Sequence, residues 1–371
     1  MQFLGIVFSN IHNLETFEVT RNRTFASTPV GGRYRLIDFP LSSLTNAGIN
    51  SIGILTKNNY QSLMDHLGSG KEWDLARKRG GLVILPPYGV SDTVYSTRLE
   101  AIKGIISFID HANADYVVMT DCYHVCNVDY KEVINYHLSK KDADITVVYH
   151  KHEATKNSFT TAKVLTLDEN DRIVNMELGT ESNEPVNVSI DVWVMKKSLL
   201  QEIVKEAVQT NAKSFNRDVL RRNLKNYKIY GYEHKGYYGN ISDLRSYFDV
   251  NMDLLNKDIR GEIFFKPGKA IYTKVRDSAP TKYSDTNYVE NSLIADGCEI
   301  DGTVINSVIF RGSKVCKGAV VKNCILMQDT YIAEGVNLEY VITDKNVKII
   351  NKKEIIGSLD DLVYINKGGN L

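Results

Sequence analysis

Through the first two thirds of the chain, short apolar runs alternate with longer stretches whose apolar residues recur at helical spacing. FLGIVF (3–8), SIGILT (51–56), DYVVMT (115–120) and ITVVYH (145–150) are strand-length and β-rich. PLSSLTNAGI (40–49), NYQSLMDHL (59–67), TVYSTRLEAIKGIISFI (93–109) and YKEVINYHLSKK (130–141) fall between them. Strands of roughly four to eight residues separated by helices of about ten or more predict crossover units and a mostly parallel sheet. AKVLTLDENDRIVNME (162–177) then reads as a hairpin about an Asp-Glu-Asn-Asp turn. The strand VSIDVWVM (188–195), the helix SLLQEIVKEAVQ (198–209) and the segment FNRDVLRRNL (215–224) follow it.

The pattern changes after Leu254. GEIFFKPGKAIYTKVRDSAPTKY (261–283) holds two of the seven prolines, the helical period stops, and from Asn291 apolar residues recur every six positions. Ile309, Val315, Val321 and Met327 form one column, and Val320, Leu326, Ile332 and Leu338 another, with Gly297, Gly302, Gly312, Gly318 and Gly335 in the gaps. A six-residue period puts one short strand on each side of a triangular coil, and stacked coils bury continuous apolar ladders. A meander of short strands would have to keep that step by accident in both columns. The expected domains are an α/β domain over 1–255, a linker over 256–285 and a β-helix over 286–371, the last a common oligomerisation surface.

Forty-five basic residues balance forty-five acidic ones in the 371-residue chain. Net charge therefore gives no support to a nucleic-acid or membrane-surface role, and any basic site must be local. No run approaches the ~18 apolar residues of a spanning helix, and MQFLGIVFSN lacks a basic leader, so the expectation is a cytoplasmic protein with no membrane or nucleic-acid partner. Five cysteines, few and odd in number, fit reduced thiols better than a disulfide framework.

The most informative stretch is NRTFASTPVGGRYRLIDFPLSSLTNAGINSIGILT (22–56), in which Gly31 and Gly32 precede a tyrosine flanked by Arg33 and Arg35. Two glycines permit a tight backbone passage, and two guanidinium groups make the corner friendly to anions. Together with SDTVY (91–95), ADYVV at Ala114, VDY at Val128, DENDRI at Asp168, NMDLL at Asn251 and the hexapeptide tail, this stretch resembles the glucose-1-phosphate adenylyltransferases, or ADP-glucose pyrophosphorylases, over nearly the whole chain. The resemblance implies a nucleotidyltransferase-type, Rossmann-like α/β domain followed by a left-handed parallel β-helix and tetrameric assembly. It also implies the reaction of ATP and glucose 1-phosphate to give ADP-glucose and pyrophosphate, in glycogen synthesis.

That chemistry needs donors for a triphosphate, Mg²⁺ to offset charge developing at phosphorus, and carboxylates to hold the metal. In an open α/β sheet the ligand sits outside the carboxyl ends of the strands, so the loop after FLGIVF should carry the phosphates. The family has a glycine-rich run there; this chain has Ser9, Asn10, Ile11, His12, Asn13, Leu14 and Glu15, whose side chains hinder close backbone approach. The family's next lysine falls at Phe25, its two metal acids at Tyr123 and Asn240, a Glu-Lys pair at Leu178 and Gly179, and a sugar-contacting acid at Ser214. Of the sugar site, Ser189 and Phe215 keep the family's type and remain as residual sugar-phosphate contacts. Loss of one such group typically costs on the order of 100-fold in rate, so several losses together should leave little turnover.

The expectation is therefore a catalytically impaired regulatory subunit that holds no catalytic residue, no metal and no cofactor of its own. Its partner would be a catalytic subunit using Mg²⁺, most naturally in a heterotetramer, with a homo-oligomer open to the chain in isolation. By the resemblance Arg23, Arg35 and Ser62 contact a phosphorylated effector at the junction with the β-helix, against the alternative that Arg33 and Arg35 form a solvated surface pair. Cys122, His124 and Cys126 alternate as a strand would present them, but zinc wants four ligands in paired spacings, and the two cysteines read better as small apolar fillers. Asp121, two residues before Tyr123, carries the alternative of an active adenylyltransferase with a rearranged site. Asp129 reads as structural, and a phosphate sensor without a partner would rest on Arg23 and Arg35 alone.

Overall fold

The computed structural model describes residues 1–9, 18–87, 95, 97–152, 159–180 and 184–371. The N-terminal elements in chain order are β1 (Phe3–Phe8), β2 (Pro29–Val30), β3 (Tyr34–Arg35), α1 (Asp38–Asn46), β4 (Ser51–Leu55), α2 (Gln61–Leu67), β5 (Gly81–Leu85), α3 (Arg98–Gly104), α4 (Ile106–His111) and β6 (Tyr116–Asp121). They continue with β7 (His124–Val125), α5 (Tyr130–Ser139), β8 (Ile145–His152), β9 (Phe159–Leu167), β10 (Ile173–Thr180), β11 (Val186–Lys196), α6 (Lys197–Gln209), β12 (Ile229–Glu233), β13 (Gly239–Asn240), α7 (Leu244–Asp253) and α8 (Lys257–Phe264).

β1 pairs in parallel with β4 and β6, and β4 with β5, which is the parallel half that the alternating pattern predicts. The other half of the sheet is mixed. β11 runs antiparallel to β6, β8 and β9, the expected β9–β10 hairpin forms, and β12 pairs in parallel with β8. Helices cover both faces. α1, α2 and α5 set Leu41, Leu44, Leu63 and Val133 against Val7, Ile52 and Val118, while α3, α4 and α6 set Leu99, Ile109 and Leu200 against Leu4, Ile6 and Met119. Burial on both faces explains why these strands read as unbroken apolar runs rather than as alternation. No helix among the described residues is long and apolar enough to cross a membrane.

Three five-stranded parallel sheets make the C-terminal left-handed β-helix. One interior row stacks Ile300, Val315, Ile332 and Ile349, a second Val304, Val321, Leu338 and Ile355, and a third Ile309, Leu326, Thr343 and Ile365. The two columns read from the sequence need correcting against this register. Ile309, Val315 and Val321 do point inward, but the interior path then takes a five-residue step to Leu326 and continues to Ile332 and Leu338, while Val320 is only half-buried and Met327 faces the other domain. Corners are turned by residues in the left-handed region, among them Asn291, Asn306, Asn323 and Tyr340 at φ of 40°, 45°, 50° and 52°. Asn tolerates that conformation; Tyr is a bulky exception.

The linker also differs from expectation. Within 256–285, residues Lys257–Phe264 form α8 and bury Ile263 between the domains, and Lys282–Tyr283 already pairs with the next coil. One flank of the β-helix, through Val308, Phe310, Ile325, Met327 and Ile342, packs on Phe25, Phe39, Phe248, Val250 and Leu254 in a shared core. Phe25, which stands at the family's lysine position, is thus a buried member of the domain junction. Tyr340 lies 6.1 Å from Phe248, ring centroid to ring centroid, in the same contact.

Candidate functional site

The candidate site lies at the carboxyl ends of β1 and β6, where an open sheet is expected to place its ligand cleft. Ser9, which follows β1, is buried; its hydroxyl donates to the Leu55 carbonyl at 2.6 Å and its carbonyl accepts the Ala26 N–H at 3.0 Å. Asn10, Ile11, His12, Asn13, Leu14 and Glu15, with Ser91 to Val94, lie outside the described residues.

At the mouth of β6 the structure assembles two acids and two cations. β11 shifts register against β8 between Ser189 and Val192, and in this bulge Asp191 adopts φ 54° and turns its fully buried carboxylate into the cleft. Arg98 Nη2 stands 2.6 Å from Asp191 Oδ2 and 2.6 Å from Asp121 Oδ2, with Arg98 Nε donating to Asp121 at 3.0 Å. Lys163 of β9 donates to Asp191, Tyr123 Oη donates to it at 2.8 Å, and Asn216 Nδ2 approaches to 3.5 Å. Asp121 Oδ1 also accepts the Cys122 N–H at 2.9 Å. Burial works against the charge on Asp191, but Arg98 and Lys163 outweigh it and hold the carboxyl below the usual carboxylate range. Burial pushes the Lys163 ammonium down, against the opposing pull of Asp191, and burial with the nearby Asp191 drives the Tyr123 phenol well up.

Arg98 reaches this point because Thr97, as N-cap, and Glu100 form a capping box that makes Arg98 the first residue of α3. The sequence offered one signal. A cation in the first turn of a helix opposes the macrodipole, so an arginine there implies nearby anions. Asp191 had a signal too, as an acid in the middle of an apolar strand.

Tyr123 and Asn240 do come together: β7 pairs with β13 through His124 and Asn240, and the Ile241 N–H donates to the Tyr123 carbonyl at 2.9 Å. A phenol and an exposed amide, however, supply no carboxylate at either position. Ser189 Oγ accepts the Asp191 N–H at 3.3 Å, and Phe215 sits edge-on to Trp193 at 5.3 Å in the core. Ser214 caps the turn that begins at Phe215; Leu178 is exposed on β10 beside Gly179. Cys122 and Cys126 are buried among Val118, Val128 and Ile134, and burial pushes His124 down to about 4. Among the described residues no group of three or more His, Cys, Asp or Glu could hold a metal ion. A magnesium ion does not fit the acids that are present, because both oxygens of Asp121 and Asp191 Oδ2 already accept from Arg98, Lys163, Tyr123 and the Cys122 backbone, and two internal cations balance the two carboxylates.

A second charged group lies at the domain junction. Arg23 is buried and pairs with Asp344 at 2.5 Å, also donating to the Val19 carbonyl at 3.0 Å. Arg35 donates to the Ser62 carbonyl and, at 3.0 Å, to its hydroxyl, so these two residues meet, while Arg23 is tied to the β-helix through Asp344. Arg35 is buried rather than solvated, and burial lowers its pKa to about 10; Arg33 alone is exposed. Lys345, which nothing in the sequence singled out, is pushed down to about 7 by burial and by Arg35 and Arg23, with Arg276 adding to them and Asp344 opposing. Asp129, read as structural, caps α5 and pairs with Lys269 at 2.6 Å.

Residues 17–257 match the nucleotidyl transferase family and residues 278–361 the GlmU-like, C-terminal hexapeptide family. The chain is similar to the glycogen biosynthesis protein GlgD of Bacillus subtilis (strain 168), 31% identical over 368 residues that cover 99% of this chain and 96% of the relative. It is 35% identical over 326 residues to the GlgD protein of Geobacillus stearothermophilus, covering 86% and 83%. It is 33% identical over 318 residues to the glucose-1-phosphate adenylyltransferase of Geobacillus stearothermophilus, covering 82% and 79%.

Proposed function

We propose that this chain, which belongs to the glucose-1-phosphate adenylyltransferase family, is a catalytically impaired regulatory subunit in glycogen biosynthesis that assembles with a catalytic adenylyltransferase subunit. The carrying observation is the bridge that Arg98 makes between Asp121 and Asp191. Phosphoryl-type transfer depends on a metal that clamps the phosphates and takes up developing charge. Here the cleft acids are spent on internal cations, and the family's own metal positions hold Tyr123 and Asn240. The similarity over almost the full length to the glycogen biosynthesis protein GlgD of Bacillus subtilis supports the glycogen-biosynthesis part of this reading.

In the assembly, Mg²⁺ serves the catalytic partner. At the junction Arg23 and Arg35, with Ser62 and Lys345 beside them, supply the forked guanidinium donors that suit a phosphorylated effector, and Ser189 and Phe215 are what is left of a sugar-phosphate pocket. An active enzyme built on Asp121 is opposed by the buried pair that this carboxylate makes with Arg98.

The test is an assay of ADP-glucose formation. Alone, the chain should give rates at least about 100-fold below those of a catalytic relative, and on mixing it should change that relative's turnover or effector response. Brisk magnesium-dependent turnover by the chain alone, lost in Asp121→Ala, would reverse the assignment.

A further inference from the structure

We infer that Arg98 is a resident cation: its guanidinium stands where a divalent ion would bridge Asp121 and Asp191, so the cleft is neutralised from within and refuses magnesium. The inference rests on the reading of the cleft as catalytically impaired, and goes beyond it by naming the group that keeps the metal out.

The geometry is that of a filled site. Two carboxylate oxygens from different strands converge on a single nitrogen, each at 2.6 Å, the upper end of the roughly 2.0–2.6 Å at which hard divalent cations hold oxygen. The neighbouring donors fill both oxygens of Asp121 and crowd Asp191 Oδ2, while Asp191 Oδ1 meets Asn216 Nδ2 at 3.5 Å. Tyr123, at a position where the family resemblance puts a metal acid, offers a hydroxyl proton to Asp191 rather than a second carboxylate. Lys163 donates to the same carboxylate from the hairpin, and the Cys122 N–H takes the other oxygen of Asp121. Two acids against two fixed cations leave no net negative charge to attract a third. An incoming Mg²⁺ would have to be dehydrated, at which it is reluctant, and would have to expel a bidentate guanidinium already desolvated at 8% side-chain exposure.

The experiment is a Mn²⁺ titration of the full chain, followed by electron paramagnetic resonance and by thermal melting against EDTA. Wild type and Arg98→Lys should show no saturable site. Arg98→Met, which keeps the length but not the charge, should gain about one Mn²⁺ per chain with a rise in Tm, and Asp191→Asn in that background should lose it. Arg98→Met that folds only with Mn²⁺ present would support the inference equally. A folded Arg98→Met without a saturable site overturns it. So does a wild-type chain that binds one Mn²⁺ and loses it in Asp121→Asn, a result that stands even where Arg98→Met does not fold. These titrations use the chain alone, whereas the subunit assignment is judged by the effect on a partner's turnover, so either can fail while the other holds.

Discussion

The cleft and the domain junction are both buried and both charged, yet they close their charge differently. In the cleft Arg98 bridges Asp121 and Asp191, Lys163 donates to Asp191, and Tyr123 and the Cys122 N–H add donors to the same two acids. At the junction Arg23, Arg35, Arg276 and Lys345 crowd together while Asp344 is shared among Arg23, the Tyr364 hydroxyl and the Lys345 N–H. The contrast is between charges balanced by fixed side chains and a cluster in which cations outnumber the acid they share.

The strongest way to break the comparison is Asp191→Asn. It leaves Arg98 and Lys163 buried without their shared partner, a situation that typically costs about 3–5 kcal/mol. Urea denaturation at neutral pH should show it, and added sulfate should not restore the loss; a cost under about 1 kcal/mol would mean that the cleft is open to solvent. Asp344→Asn should cost about 3 kcal/mol by the same physics, but here sulfate should recover part of the loss, because the cations it exposes already lie together.

A finer probe uses Lys345. Its pKa is lowered in the folded chain to about 7 from an ordinary 10.5. The unfolded state therefore binds more protons between these values, and stability from this group rises with pH across that window and is lowest below pH 7. Lys345→Gln should accordingly stabilise the chain most at pH 6 and progressively less towards pH 10. Binding of sulfate, which does not titrate here, should follow the opposite course: its effect on Tm in the wild type should weaken as pH rises through about 7, and Lys345→Gln should flatten that dependence. The smallest effect is expected far from both sites. Asn323→Ala, at a β-helix corner, should cost about 1 kcal/mol, chiefly through its left-handed backbone with a small share from its 3.4 Å bond to Glu339, and should leave the sulfate response unchanged.

The sequence made the two architectures legible because each has its own period. It misassigned Val320 and Met327 because apolarity marks burial and not direction: one flank of the β-helix is covered by α7, so Val308, Ile325 and Met327 are as apolar as the Ile309 and Leu326 that fill the interior. The five-residue step at Val321 falls at a left-handed Asn323, which a strict six-residue rule passes over. In the cleft, the pairing of Tyr123 with Asn240 was legible from the motif alignment. The Arg98 bridge was not, since it joins residues 93 positions apart through a bulge that no local pattern announces. Phe25 could be seen to have lost a lysine's charge, but not to have gained a place in the core between domains.

Because Thr97 and Glu100 close the capping box immediately beside Arg98, the start of α3 and the neutrality of the cleft are one structural event. Fraying of a terminal turn is harmless on most surfaces. In this protein it would withdraw a guanidinium from two buried carboxylates at once, and so the integrity of a single helix end sets how well their charge is balanced.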